Sequence, residues 1–146
     1  MKKIALSFLF LAFLACDNDD AANTNCNFLF DAGVNLQVNT NLPQFSQLAF
    51  PNNGVYVAGQ GNNGVWLWRF NSATLLAWDA ADPSHAPTVC STLTESGTGD
   101  IVICGCDDEN RYSLTTGLGL QGNTQPCTLQ PYRVDDLGNG VYLVSN

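Results

Sequence analysis

The chain has 146 residues, of which 45% are hydrophobic and only 12% are charged. This size and composition indicate one folded domain and exclude a disordered chain, because enough apolar surface is present to offset the entropy of folding. Five basic residues stand against 13 acidic ones, for a formal net charge of −8, which argues against a nucleic-acid partner because phosphate binding needs a basic surface.

The first 15 residues have the form of a secretory leader. Lys2 and Lys3 supply a positive start, and residues 4–15 are apolar apart from Ser7 and end directly before Cys16. This run of about a dozen residues is shorter than the roughly 20 that a spanning helix needs. The segment Phe13-Leu14-Ala15-Cys16 resembles the lipobox of bacterial lipoproteins, although Phe13 and Leu14 depart from its usual residues. The resemblance implies a signal peptide over 1–15 and a lipid on Cys16; an ordinary cleaved signal and an uncleaved anchor are the alternatives.

A polar, acidic segment follows the predicted lipidation site. Residues 17–20 are Asp-Asn-Asp-Asp, and residues 17–25 contain no apolar side chain larger than alanine. Such a composition is typical of a solvated spacer, and it equally fits an acidic sorting signal for the cell surface. We expect residues 16–25 to tether the protein to the bacterial cell envelope. The outer membrane or the cell surface is favoured, and the inner membrane stays open.

Beyond the tether, residues 26–146 are predicted to form one all-β domain. The dipeptides Asn53-Gly54, Asn63-Gly64 and Asn139-Gly140 are of the hairpin-turn type, and an apolar, β-prone run follows each of them. No long segment has a helical period. Short strands with tight turns indicate an antiparallel sandwich or small barrel. The predicted strands are 55–57, 65–70, 74–78, 101–104, 111–114, 132–135 and 141–144.

Five cysteines follow Cys16, in a compartment that permits disulfide bonds. Because five is an odd number, at least one thiol is free, bound to a metal or paired with another molecule. These cysteines are Cys26, Cys90, Cys104, Cys106 and Cys127.

The order of strands and loops over residues 74–146 is the most informative feature of the chain. A strand at 74–79 leads to a loop at 81–90, and a second strand, Ile101-Val-Ile-Cys104, leads to a second loop. The series continues with Arg-Tyr-Ser-Leu-Thr-Thr-Gly at 111–117, Leu-Gln-Pro-Tyr-Arg-Val at 129–134 and Gly-Val-Tyr-Leu-Val at 140–144. It resembles the cluster-binding half of Rieske-type iron–sulfur proteins, in which two loops with Cys-x-His and Cys-x-x-His hold a [2Fe–2S] centre. The resemblance implies a small Rieske-like antiparallel β fold.

The resemblance is closer for the scaffold than for the cluster ligands. Cys104 matches the cysteine of the second loop, but Asp107 occupies its histidine position. Asp82 and Ser84 occupy the two ligand positions of the first loop, and the only histidine, His85, comes one residue later. A Rieske centre needs two thiolates and two imidazoles, so one ligand of four is retained. We therefore expect no bound cluster or other metal.

The resemblance also implies a disulfide bond between the two loops. Cys90 and Cys106 match extra cysteines that form such a bond in many members of the family, and closing this loop contributes roughly 3 kcal/mol. A second bond, between Cys26 and Cys127, is a further hypothesis.

Two metal-bound alternatives stay open. If Cys90 and Cys106 were reduced, they would form with His85 and Cys104 a Cys3His set of the kind that holds zinc. A [2Fe–2S] cluster held by altered ligands is the other alternative, and the carboxylates at 107–109 disfavour it.

Other candidate groups favour structural roles. Trp66 and Trp68 share one face of a strand and are more typical of a core than of a sugar-binding surface. His85 lies in a proline-rich loop and is interpreted as a surface residue. Without a second histidine or a Gly-x-Ser-x-Gly motif, a hydrolase is disfavoured and no catalytic residue is assigned.

Two functions remain. The first is a non-redox structural or binding module on a lipoprotein, with membrane lipid bound through the acylated Cys16 and an unidentified envelope protein or ligand as its partner. The second is a [2Fe–2S] electron carrier, or a subunit of an oxidoreductase, with altered ligands.

Overall fold

A computed structural model describes residues 26–146. The predicted leader, the lipidation site Cys16 and the tether lie outside these residues. Within the described part of the chain, no helix has the length and apolar character needed to cross a membrane.

The described residues contain nine strands and one 3-10 helix, which confirms the prediction of an all-β fold. The helix spans Pro43–Ala49 between the first two strands. The strands are β1 (Asn35–Asn39), β2 (Asn53–Val57), β3 (Val65–Arg69), β4 (Leu75–Asp79), β5 (Leu93–Glu95), β6 (Ile101–Cys104), β7 (Arg111–Ser113), β8 (Pro131–Gly138) and β9 (Val141–Ser145).

The strands form two antiparallel sheets. The larger sheet has six strands in the order β1-β9-β8-β4-β3-β2, and the smaller one has the order β5-β6-β7. All of the strand pairs within both sheets are antiparallel. The smaller sheet is therefore inserted, in sequence, between β4 and β8 of the larger one.

Strand β3 explains why the domain has two cores. All five of its residues are buried, and alternate side chains of a strand point to opposite faces of the sheet. Val65 and Leu67 enter a first core, to which the 3-10 helix contributes Phe45 and Leu48. Trp66 and Trp68 enter a second core with residues of the smaller sheet. The prediction that these two tryptophans are core residues is confirmed, since they are 4% and 3% exposed.

The three Asn-Gly dipeptides, each predicted as a hairpin turn, take different positions in the structure. Asn139-Gly140 forms the tight turn between β8 and β9, with positive φ angles of 54° and 76°, as this hairpin type requires. Asn63-Gly64 ends a longer loop. The prediction of a turn at Asn53-Gly54 is wrong, because these residues begin β2. A Cβ at Gly54 would lie 3.2 Å from the Trp68 ring, so glycine is needed there for space rather than for a turn.

Candidate functional site

Two loops lie side by side at one end of the second core, and a disulfide bond joins them. The first loop follows β4 and the second follows β6. Cys90 and Cys106 are bonded, with their Cα atoms 4.8 Å apart, which confirms the expected link. The backbone N–H of Gly105 also donates a 2.9 Å hydrogen bond to the carbonyl of Cys90. Since a Cβ on Gly105 would lie 3.0 Å from that carbonyl oxygen, glycine allows the close approach.

A second disulfide bond joins Cys26 to Cys127, with a Cα–Cα distance of 5.6 Å. It ties the beginning of the described chain to the segment before β8. Of the described cysteines, Cys104 alone is free, and it is buried. Because Cys90 and Cys106 are oxidised, their sulfurs do not provide the thiolates that a Cys3His zinc site requires.

Asp82 is the centre of a hydrogen-bond network between the loops. Its side chain is fully buried. Its Oδ1 accepts hydrogen bonds from the Tyr112 hydroxyl at 2.6 Å, the Ser84 hydroxyl at 2.7 Å and the Ser84 backbone N–H at 2.8 Å. Burial alone would raise the pKa of Asp82, but these bonds and one from Asn110 outweigh burial and hold the pKa below its ordinary value. Asp82 is therefore a buried carboxylate kept ionised by neutral donors.

Asn110 connects Asp82 to the second loop. Its Oδ1 accepts a hydrogen bond from the backbone N–H of Thr124 at 2.9 Å, which fixes the orientation of the amide. Its Nδ2 therefore faces the carboxylates, 3.1 Å from Asp82 Oδ2 and 2.6 Å from Asp108 Oδ2. The two loops thus share one amide donor between two acids.

His85 lies in the predicted loop but differs from the surface residue that the sequence suggested. Its side chain is only 31% exposed. Its Nε2 lies 2.8 Å from Asp108 Oδ2 and 3.8 Å from Asp82 Oδ2. The imidazole therefore closes the network on its solvent side.

Cys104 lies beneath this network with a protonated thiol. Burial, reinforced by the nearby carboxylates of Asp82 and Asp108, raises its pKa to about 12. The backbone N–H of Cys106 lies 3.5 Å from the Cys104 sulfur, and this contact opposes the increase without cancelling it. Without a metal ion, Cys104 is thus a poor source of thiolate at neutral pH.

The sequence pattern identified some of these residues and missed others. Asp82, Ser84, His85 and Cys104 come together as the two-loop arrangement implies. Asp107, which matches a ligand position, is exposed, and its neighbour Asp108 faces the network instead. Asp108, Asn110 and Thr124 were not singled out, because their roles depend on the path of the second loop.

These residues do not fit a Rieske [2Fe–2S] centre. Such a centre takes two thiolates and two imidazoles, whereas this network offers one thiol and one imidazole. Ser84 and Asp82 are hydrogen-bonded to each other at two of the ligand positions, and Asp107 at the third is turned outward. It is therefore the chemistry of the donor set, rather than its general position, that does not fit the cluster.

The comparisons with known proteins find no matching family model and no matching curated protein. Solved structures do match at low identity. A protein described as the small subunit of an NADPH nitrite reductase is 21% identical with a TM-score of 0.41, and the match covers 75% of this chain and 97% of that chain. The ferredoxin of carbazole 1,9a-dioxygenase from Nocardioides aromaticivorans IC177 is 15% identical with a TM-score of 0.46, covering 77% and 95%.

A third solved structure, described as an NADH-dependent nitrite reductase small subunit from Mycobacterium tuberculosis, is 19% identical with a TM-score of 0.44. That match covers 77% of this chain and 96% of the other. A likeness in fold does not determine function, which depends on the side chains at the site.

Proposed function

We propose that this chain is a cell-envelope lipoprotein whose folded domain is a Rieske-like, non-redox structural or binding module. The observation that carries the proposal is the state of Asp82. By the family resemblance it occupies a position where a cluster needs a thiolate, and its Oδ1 already accepts three hydrogen bonds. A carboxylate held in this way stabilises the two loops directly, so the fold has no need of a cluster to join them.

The alternative function is electron transfer through a [2Fe–2S] cluster with altered ligands. It is tested by measuring the iron and acid-labile sulfide content of the purified protein. The full chain would be purified without oxygen and offered iron and sulfide under reconstituting conditions. We expect a colourless protein without iron or acid-labile sulfide. A Rieske protein with its complete ligand set, taken through the same procedure, is the positive control. A red-brown product containing stoichiometric iron and sulfide would overturn the proposed function.

The lipoprotein part of the proposal rests on the sequence of the leader and is tested separately. Cells expressing the full chain would be grown with radiolabelled palmitate, and the label would be followed in the membrane fraction. We expect Cys16→Ser to abolish the label and release the protein from the membrane. Cys104→Ser is the matched control and should keep the label. Labelling of the Cys16→Ser variant would contradict the proposal.

A further inference from the structure

We infer that the two joined loops bind one divalent ion of the zinc type through Asp82, His85, Cys104 and Asp108. The inference rests on the proposed function in one respect, since a [2Fe–2S] cluster would occupy the same loops. It departs from the sequence-based expectation that no metal is bound, and it assigns a ligand class and a donor set. These four residues are called the four-donor group below.

The chemistry of the four-donor group selects the ion. It offers one imidazole nitrogen, one sulfur and two carboxylate oxygens, all of which are recognised zinc ligands. Magnesium and calcium take oxygen ligands in larger numbers, so a mixed set with sulfur and nitrogen disfavours them. Four single donors match the tetrahedral coordination of zinc.

The geometry is close to what such an ion needs. The first loop supplies Asp82 and His85, and the second loop region supplies Cys104 and Asp108. One ligand atom from each residue lies within 4.8 Å of every other. Ligand atoms around a tetrahedral zinc ion, with bonds of about 2.0–2.3 Å, lie roughly 3.3–3.8 Å apart. The set therefore needs a closing movement on the order of 1 Å to reach the spacing of a zinc site.

Hydrogen bonds outside the group already orient one ligand. The bonds from Tyr112 and Ser84 all end on Oδ1 of Asp82, which leaves Oδ2 directed toward His85 and the shared amide of Asn110. Metal-binding carboxylates in proteins are oriented by partners of this kind. Tyr112 and Ser84 would therefore be positioning residues for the ion.

The charges of the group also favour a cation. Within residues 26–146, His85 is the only basic side chain within 4.0 Å of Asp82 or Asp108. Asp108 has a second oxygen, Oδ1, that is buried and has no hydrogen-bond partner. Buried charge is costly unless it is paired. The remaining described donors to these two carboxylates are neutral: Tyr112, Ser84 and Asn110 donate to Asp82, and Asn110 and Thr124 donate to Asp108. A divalent ion would add positive charge beside both acids.

Cobalt(II) is the most informative probe, because its spectrum reports both geometry and sulfur ligation. The full chain, freed of metals with a chelator and with its disulfide bonds intact, would be titrated with CoCl₂. We expect intense visible bands from tetrahedral cobalt and a near-ultraviolet sulfur-to-cobalt band, both removed by added ZnCl₂. Tyr112→Phe should weaken binding by about tenfold or more while leaving the spectrum unchanged.

Variants then assign the donors. Cys104→Ser should abolish the sulfur-to-cobalt band, and His85→Gln and Asp108→Asn should weaken binding more than Tyr112→Phe does. Asp135→Asn, which changes a carboxylate on β8 that bonds Arg133 and is not one of the four donors, should bind as the unmodified chain does. Circular dichroism of each variant identifies any that fails to fold. If Cys104→Ser or His85→Gln does not fold, weakened cobalt binding by Tyr112→Phe and Asp108→Asn supports the site, and unchanged binding by both overturns it.

The inference fails if the folded, metal-free chain shows no cobalt bands, or if the sulfur-to-cobalt band survives Cys104→Ser. An equal loss of binding in Asp135→Asn would also overturn it. Its failure is distinguishable from that of the proposed function. Iron and sulfide in the purified chain would overturn the proposed function, whereas a colourless chain that takes up neither cobalt nor zinc would overturn only this inference.

Discussion

The hydroxyl of Tyr112 donates a 2.6 Å hydrogen bond to Asp82 Oδ1, and the bond joins two fully buried side chains that are 30 residues apart in sequence. It connects β7 of the smaller sheet to the loop that follows β4 of the larger sheet. Burial and then the carboxylate raise the pKa of Tyr112, so its hydroxyl stays protonated and remains a donor. The bond therefore holds the two sheets together at the candidate site.

Removal of this hydroxyl should destabilise the domain. We expect Tyr112→Phe to lower the free energy of unfolding by about 1.5–3 kcal/mol, the range for a hydrogen bond to a charged group. Urea denaturation followed by tryptophan fluorescence measures the change. Tyr56→Phe is the control, because the Tyr56 hydroxyl bonds the Asn63 carbonyl at an exposed position and should cost less. Equal losses from the two variants would contradict the role given to Asp82.

The same carboxylate should make stability depend on acid pH. The pKa of Asp82 is lower in the folded chain than in the unfolded chain, so the unfolded state takes up its proton first as the pH falls. Its contribution is complete above the unfolded pKa of about 3.9 and is lost as the pH falls toward the folded value. We expect Asp82→Asn to be less stable near neutral pH and to lose less stability on acidification.

Urea denaturation at a series of pH values between neutrality and about pH 2.5 tests this expectation. The exposed Asp107→Asn is the matched control and should keep the acid dependence of the unmodified chain. If Asp82→Asn and the unmodified chain lose stability in parallel, Asp82 is not the group responsible.

The fold could be predicted from the sequence where apolar residues repeat over several positions. Strand β3 is the clearest case, because the run Val65–Arg69 identified both the strand and the shared face of its tryptophans. Strand β1 was missed although Leu36 and Val38 alternate with polar residues, because this pattern has only two apolar positions and its pairing with β9 depends on residues more than 100 positions away. Strand β5 was also missed, because it has only three residues, of which one is buried, and so shows no repeating pattern.

The candidate site was harder to predict than the fold. The two-loop pattern placed Asp82, His85 and Cys104 correctly near one another. It could not show that Asp108, rather than Asp107, faces them, because that choice depends on the turn at Glu109, whose φ is +46°. A positive φ at a residue other than glycine is set by tertiary structure and has no reliable signal in a single sequence.

The two disulfide bonds should differ in their effect on stability. They join residues 16 and 101 positions apart, and the chain-entropy model gives about 3 and 4.7 kcal/mol for loops of these lengths. We expect the double variant Cys26→Ala/Cys127→Ala to lose more stability in urea than Cys90→Ala/Cys106→Ala. A larger loss from the shorter loop would mean that contacts between the loops outweigh chain entropy.

Cys104 should resist alkylation in the folded, metal-free chain. It is 2% exposed, and its pKa of about 12 leaves little thiolate near neutral pH. We expect iodoacetamide to label it at least about a hundredfold more slowly than in the urea-unfolded chain with its disulfide bonds intact. Mass spectrometry measures the labelling. A folded-state rate that reaches a plateau near pH 9 would contradict the raised pKa.

Gly117 provides a test of packing against the second core. Its φ is +72°, and a Cβ there would lie 2.6 Å from the ring of Trp78. That ring has little freedom to move, because its Nε1 donates a 2.8 Å hydrogen bond to the Leu114 carbonyl. Gly97 has a similar φ of +79°, but a Cβ there would meet nothing within 4 Å.

The two glycines therefore separate backbone strain from steric overlap. We expect Gly97→Ala to cost about 1–2 kcal/mol, from the left-handed conformation alone. Gly117→Ala should cost about 1–3 kcal/mol more, the range for overpacking, because the Trp78 indole that packs against the second core must shift. Urea denaturation of both variants measures the difference, and near-ultraviolet circular dichroism should change only in Gly117→Ala. Equal costs would show that Trp78 can move without penalty, and that the connection after β7 is less tightly packed than its contacts indicate.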